Sequence, residues 1–261
     1  NFYRNLVGLA SVTFDTSLSS AAQQAALMMD ANNALSHRPP SSWNCYTTTG
    51  ASAAGKSDLY LGVTGASAIA GYMVDPGANN SEAGHRRWIL YPPETKMGSG
   101  STSRANALYV VDQPSWNSSF TAPQWVAWPP AGYLPGQLEP GGRWSLSATD
   151  ATTSFASATV TVTKNGVALP VTVNPIQPTA ANELVGDPTL VWQVNPGYTL
   201  GGADQAYVVT VNNIKRGTQT LSYQYTTTLF DPNASQTITM PNPGPRQYGD
   251  AFYTQASASS G

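Results

Sequence analysis

Apolar and small residues recur at three- and four-residue spacing at Leu18, Ala22, Ala25 and Met29, which predicts an amphipathic helix over about residues 18–34. Asp15, Thr16 or Ser17 can cap its start. It runs out at Leu35-Ser36-His37-Arg38, and Pro39-Pro40 forbid continuation. Upstream, Phe2, Leu6, Val7 and Leu9 form a shorter apolar segment around Tyr3-Arg4. Residues 41–56 show neither period and read as loop, with Trp43 and Cys45 as anchors. A further helical piece spans about Ser67 to Val74 and stops at Pro76. Glu82 to Leu90 reads as a short helix ended by Pro92-Pro93. Asn79, Asn80 or Ser81 is its cap, and Glu82 stands where the helix dipole favours negative charge. On it His85 and Ile89 share a face, with Trp88 beside them.

The second half of the chain changes period. Met97 to Gly100 and Ala107 to Val111 read as a turn entering a strand, and Trp125 to Trp128 as another strand. Prolines and glycines then crowd residues 129–142, the composition of a domain junction. Beyond it the segments Arg143 to Ser147, Thr159 to Thr163, Ala168 to Val173, Thr189 to Gln193, Ala206 to Val211 and Gln219 to Thr227 are all strand-like. Asn165-Gly166 is a hairpin signal, because both residues tolerate positive φ. So many short strands in about ninety residues predict an antiparallel sandwich of immunoglobulin-like size. No Cys-Trp-Cys core is present, so that likeness is architectural only. The expected units are 1–128, a 129–142 junction, 143–232 and a tail over 233–261.

Only 10% of the 261 residues are charged, against 41% hydrophobic, and the formal charge is −2. Polarity comes from Ser, Thr, Asn and Gln, as in many extracellular proteins. There is no basic cluster to attract a phosphate backbone, which argues against nucleic acid. No apolar run reaches the roughly 18 residues of a membrane span. The sequence begins at Asn1 rather than Met, so any export leader has been removed or was never part of this sequence, and a secreted chain is the expectation. Cys45 is the single cysteine, so no disulfide can form within these residues.

Candidate chemistry is sparse. The common nucleophile-elbow, zinc-helix and phosphate-loop motifs are absent. Cys45 with a histidine can form a nucleophilic pair, but a lone cysteine near Trp43 reads better as a small buried hydrophobe. What remains is the only histidine pair, His37 and His85, with the carboxylates Asp58, Asp75 and Glu82. Two imidazoles and a carboxylate can ligate zinc and leave a water site, or they can be hydrogen-bonded parts of a core. Arg86 and Arg87 are either a clamp for an anion or one structural hydrogen-bonding set and one solvated charge. Trp88 and Ile89 read as core. Trp125, Trp128, Tyr133 and Trp144 offer faces for a sugar ring or, better, for interdomain packing. Asn79, Asn117 and Asn233 open Asn-x-Ser sequons, and Asp30 opposes its helix dipole without evident function.

The order of several segments is more informative than any one of them. Asn1-Phe2-Tyr3-Arg4, Gly8, Val12 to Asp15 and Leu18 with Ala22-Gln23 come first. Leu35-Ser36-His37, Gly84 to Leu90 and Met97 to Gly100 follow, leading into Leu108 to Val111. Together they resemble the CAP superfamily of cysteine-rich secretory, antigen 5 and pathogenesis-related proteins, in the form of its bacterial branch, over about residues 1–128. The resemblance implies a three-layer α-β-α sandwich, hence an α+β chain with an all-β second unit. It also implies a surface groove lined by two histidines and two acidic residues. His37 and His85 match the histidines. At the first acidic position the region reads Gly55-Lys56-Ser57-Asp58-Leu59, so the glutamate is missing and Asp58 is the nearest carboxylate. At the second, Tyr72 replaces a tryptophan and Asp75 falls three residues later; Glu82 has no counterpart.

With the acidic pair eroded, a binding role is expected over catalysis. His37, His85, Asp58, Asp75, Tyr72 and Glu82 would line a groove for a small apolar, lipid or peptide ligand or a cell-envelope component, with Tyr60 nearby. The alternatives are a peptidase or esterase holding a divalent metal such as zinc on His37 and His85, and an adhesion scaffold.

Overall fold

The computed structural model describes residues 1–176 and 186–234, with the backbone of 238–239 and 257–258. The tail expected over 233–261 lies outside these apart from residues 233–234 and those two pairs. Five helices and four strands make up the first part: α1 (Phe2–Leu6), β1 (Thr13–Phe14), α2 (Thr16–Asn32), α3 (Thr48–Ala54), β2 (Ser57–Leu61), α4 (Gly65–Val74), α5 (Gly84–Ile89), β3 (Lys96–Ser101) and β4 (Ala105–Tyr109). Its sheet runs β1-β3-β4-β2, which leaves β2 at an edge.

Alternation along β4 explains how helices cover this sheet. Ala105, Ala107 and Tyr109 join Ala22, Ala25, Ala26 and Met29 of α2 in one apolar cluster. Leu108 and Val110 join Tyr72 and Met73 of α4 and Trp88 and Ile89 of α5 in another. Successive strand side chains point to opposite faces, so one strand serves both clusters. Asp15 caps α2 through its carboxylate, which accepts from the amides of Ser17 and Leu18 at 2.8 and 3.1 Å. Helix α2 lies so close to β3 that a Cβ added at Gly98 or Gly100 would stand 2.3 or 2.2 Å from the helix backbone.

Arg4 fastens the N-terminus. Its guanidinium is buried and donates to the carbonyls of Ala10, Ile89, Tyr91 and Glu94. The Glu94 carboxylate nearby accepts from the Trp116 indole at 2.7 Å.

The second part is β-rich. It comprises β5 (Trp125–Trp128), β6 (Gly132–Pro135), β7 (Arg143–Ala148), β8 (Thr153–Ser154), β9 (Thr159–Lys164), β10 (Val167–Leu169), β11 (Val171–Ile176), β12 (Thr189–Val194), β13 (Gln205–Arg216) and β14 (Gln219–Phe230), with a last pair β15 (Ile238–Thr239) and β16 (Ser257–Ala258). One sheet runs β10-β9-β13-β14-β6, with β8 pairing β13; a second runs β11-β12-β7-β5. Trp128, Trp144, Leu146, Val162, Tyr207 and Val209 are buried in one apolar cluster drawn from both sheets.

Several expectations need correction. Residues 41–56 are not all loop: Thr47 caps α3 by accepting from the Gly50 amide at 2.9 Å. Cys45 is exposed rather than a buried anchor. Trp125–Trp128 pairs antiparallel with β7, so it belongs to the second part. The proline-rich stretch contains a strand, β6, parallel to β14. Ala168–Val173 is two strands in different sheets, divided at Pro170, whose ring removes a ladder donor. Asn165 and Gly166 do form the hairpin turn, both with positive φ. Trp128 and Trp144 are fully buried and offer no sugar-stacking face. Trp125 stacks on Tyr223 and carries the Arg216 guanidinium over its ring. Asp30 pairs with Arg104 at 2.8 Å.

Replacing Gly100 by alanine is expected to cost about 3 kcal/mol, because the helix backbone cannot yield as a flexible side chain would. Urea unfolding of the variant against the parent measures it.

Candidate functional site

Helix α4 ends at Asp75, which adopts a left-handed conformation with φ of 54°. That turn aims its fully buried carboxylate at the start of α5. One oxygen accepts from the His85 amide at 3.1 Å, the other from His85 Nδ1 at 2.7 Å. The expected caps do not serve α5: Asn79 and Asn80 lie in a short 3-10 turn over Ala78–Asn80, and Ala83 at the N-cap has no side chain to offer. Asp75 supplies the missing acceptor from ten residues upstream, and negative charge at that helix end is favourable. Glu82 precedes the helix instead of sitting in its first turn.

His37 is held in a comparable way, with Nδ1 donating to the Ala54 carbonyl at 2.9 Å. A carbonyl only accepts, so this ring carries its hydrogen on Nδ1 and leaves Nε2 to the cleft. Both imidazoles line two adjoining lobes. The first, about 250 Å³, is bounded by His37, Lys56, Asp58, Glu82, His85 and Trp88 among others. The second, about 310 Å³, is bounded by Leu35, Leu59, Tyr60, Leu61, Tyr72, Asp75 and Pro76. His37, Asn79, Asn80 and His85 border both. The cleft therefore gathers the six residues singled out from the sequence. Lys56, Asn79, Asn80 and Trp88 also line it, with no signal that marked them for this role beyond their neighbourhood to the histidines.

Tyr72 packs 5.3 Å from the His85 ring and donates its hydroxyl toward Asp58 O, Asn106 O and Asn106 Oδ1. The tyrosine thus supports the floor and ties β2 to β4. Asp58 is buried, and its Oδ2 has no protein partner. Burial pushes the Asp58 carboxyl well above the usual carboxylate range, as does Asp75, while the neighbouring His85 pulls it down. Burial works against a charged imidazole at His85. The Asp75 hydrogen bond and the charges of Asp58 and Asp75 outweigh it, and His85 is pushed up to about 9. At neutral pH the cleft presents an imidazolium at His85, which is a hydrogen-bond donor rather than a base.

Among the described residues, no three His, Cys, Asp or Glu side chains come together so as to hold a metal ion. Zinc sites draw three or four ligands from the protein, whereas here both oxygens of Asp75 are committed to His85. The residues present do not fit the expected zinc site.

The arginines behind the cleft are structural. Arg86 is fully buried; it donates to Met73 O at 2.7 Å and Val74 O at 3.3 Å. It also reaches Arg143 O and Ser145 Oγ in β7 at 2.8 and 3.1 Å. Arg87 is buried too rather than solvated, and donates to Asp187 O at 2.8 Å. The Nε and Nη1 of Arg87 have no partner among the described residues.

A raised His85 contributes stability that is complete below its ordinary value near 6.5 and is lost as pH rises toward about 9. Glu94, pushed up to about 8, and Asp187, to about 7, oppose folding over the range in which only the unfolded chain ionises. All three slopes carry the same sign. Unfolding free energy is expected to fall between pH 6.5 and 9, and less steeply in His85→Asn, as read by urea titrations at several pH values.

Residues 1–113 match the family described as CAP, the cysteine-rich secretory protein family. No curated protein matches the chain. The match spans every helix and strand that builds the cleft, from α1 to β4. The N-terminal part of this chain, which carries both cleft histidines, is thus the part that matches the CAP family.

Proposed function

We propose that this chain is an extracellular binding protein whose histidine-lined cleft holds a small apolar, lipid or peptide ligand without turning it over. The observation that carries this reading is the state of the two rings. Each Nδ1 is tied to a fixed acceptor, and His85 is cationic at neutral pH because Asp75 and Asp58 outweigh its burial. A ring in that state donates from Nε2 to a carbonyl or carboxylate of a ligand. It does not take a proton from water. The second lobe, with Leu35, Leu59, Leu61 and Pro76, supplies apolar surface beside that donor, the usual mixture in ligand sites.

In this reading the first unit is a three-layer α-β-α sandwich and the second an immunoglobulin-like sandwich that attaches or presents it at a cell envelope. Strand β5 belongs with the second unit, so the division falls before Trp125 and not after Trp128. Low charge supports secretion. No helix among the described residues is long and apolar enough to cross a membrane. The metal-dependent hydrolase is the weaker alternative, since among the described residues no three metal-ligating side chains come together and the His85 ring already carries a proton at neutral pH.

Protein purified from its native host is expected to release a lipid or peptide on denaturation, detected by mass spectrometry. A consistently empty cleft would favour the scaffold reading. The affinity of that ligand should fall as pH rises through about 9, where the His85 donor is lost. Calorimetric titration with zinc is expected to show no stoichiometric binding. Tight binding abolished in His85→Ala would restore the hydrolase.

A further inference from the structure

The segment between α4 and α5, residues 75–83, forms one side of the cleft, with Asp75, Pro76, Asn79, Asn80 and Glu82 bordering it. Pro76 to Asn79, Ser81 and Glu82 are exposed, and the only regular structure is one short turn. Such a segment has little of its own to fix it. Besides its own turn contacts and the Asp75–His85 link, it is held by β7, β11 and β12, beyond the residues that match the CAP family.

Arg143 donates one Nη to Asp75 O and the other to Gly77 O, the latter at 3.0 Å. Both carbonyls belong to positions with positive φ, and the planar guanidinium fits two acceptors held in fixed relation. Arg86 crosses in the other direction to Arg143 O and Ser145 Oγ, so the two arginines interlock. Farther along, Asn174, Val191 and Ser145 stand opposite one another across β11, β12 and β7. From this row Asn174 donates to Ser81 O at 3.4 Å, Val191 packs on Ala83, and Ser145 meets Arg86. One face of the β-rich part therefore underlies the whole segment.

We propose that Arg143 is a positioning residue for the cleft: by gripping the Asp75 and Gly77 carbonyls, the second unit sets the carboxylate that orients His85. The cleft is then a composite of both parts of the chain, and the docking of the β-rich sheet is coupled to the geometry presented to a ligand. This inference goes beyond the binding role above and holds whether or not that role does, because its test uses no ligand.

The experiment compares the full chain with Arg143→Ala and Arg143→Lys by NMR, following hydrogen exchange of the His85 amide and pH titration of the His85 ring. Positioning predicts at least tenfold faster His85 amide exchange in Arg143→Ala, with β4 amides such as Leu108 unchanged. It also predicts a ring midpoint lower by one pH unit or more, since Asp75 no longer holds the imidazolium. Loss of a nearby positive charge alone would move the midpoint up, so the sign separates the two causes. Arg143→Lys keeps the charge but not the fork, and should show the same changes at smaller amplitude; it carries the test if the alanine variant does not fold. Unchanged His85 exchange, equal acceleration of β4 amides, or an upward midpoint would each overturn the proposal.

Discussion

The cleft depends on one carboxylate serving two masters. Asp75 ends α4 in a left-handed turn and starts α5 by accepting the His85 amide, while its second oxygen holds the same residue's ring. Backbone and side chain of His85 are thereby locked to a single group. Without it, a six-residue helix with alanine at its N-cap has little reason to begin where it does. The cost of burying that charge is met by the partners it satisfies, the imidazolium first among them.

The rest of the molecule can be seen as support for this link. On the sheet side, Tyr72 joins α4 to β2 and β4 through a buried hydroxyl. Behind it, Arg86 collects the last carbonyls of α4, where a helix end favours positive charge. Burial draws Arg86 down only to about 10, so it stays cationic in the interior. Arg4 does similar work for the turn after α5. Buried guanidiniums that meet carbonyls rather than carboxylates act as fasteners of irregular backbone, the part of a fold that apolar packing alone specifies least.

Some of this was legible in the chain and some was not. Helix α2 declared itself because its apolar spacing, its aspartate cap and the following prolines agree. The β9–β10 turn did so because Asn165-Gly166 admits little else. Helix α3 did not, since Thr48–Ala54 is all threonine, serine, glycine and alanine and shows no apolar period. The start of α5 was misread for a related reason: nearby Asn and Ser residues looked like caps, but the acceptor came from a residue made adjacent only by folding. The histidine pair emerged through the order of segments shared with the CAP family. Arg143 could not, because nothing local to it suggests a partner sixty-odd residues earlier.

Gly98 and Gly100 bear on how the chain reaches this state. Alternate positions of β3 face the backbone of α2 at a distance that admits only hydrogen. A slip of one residue in the pairing of β3 with β4 would drive Met97 or Ser99 into that helix, since each step exchanges the two faces of a strand. A misaligned sheet is thus sterically incompatible with α2 in its place, and the two glycines select one register for the sheet beneath the cleft.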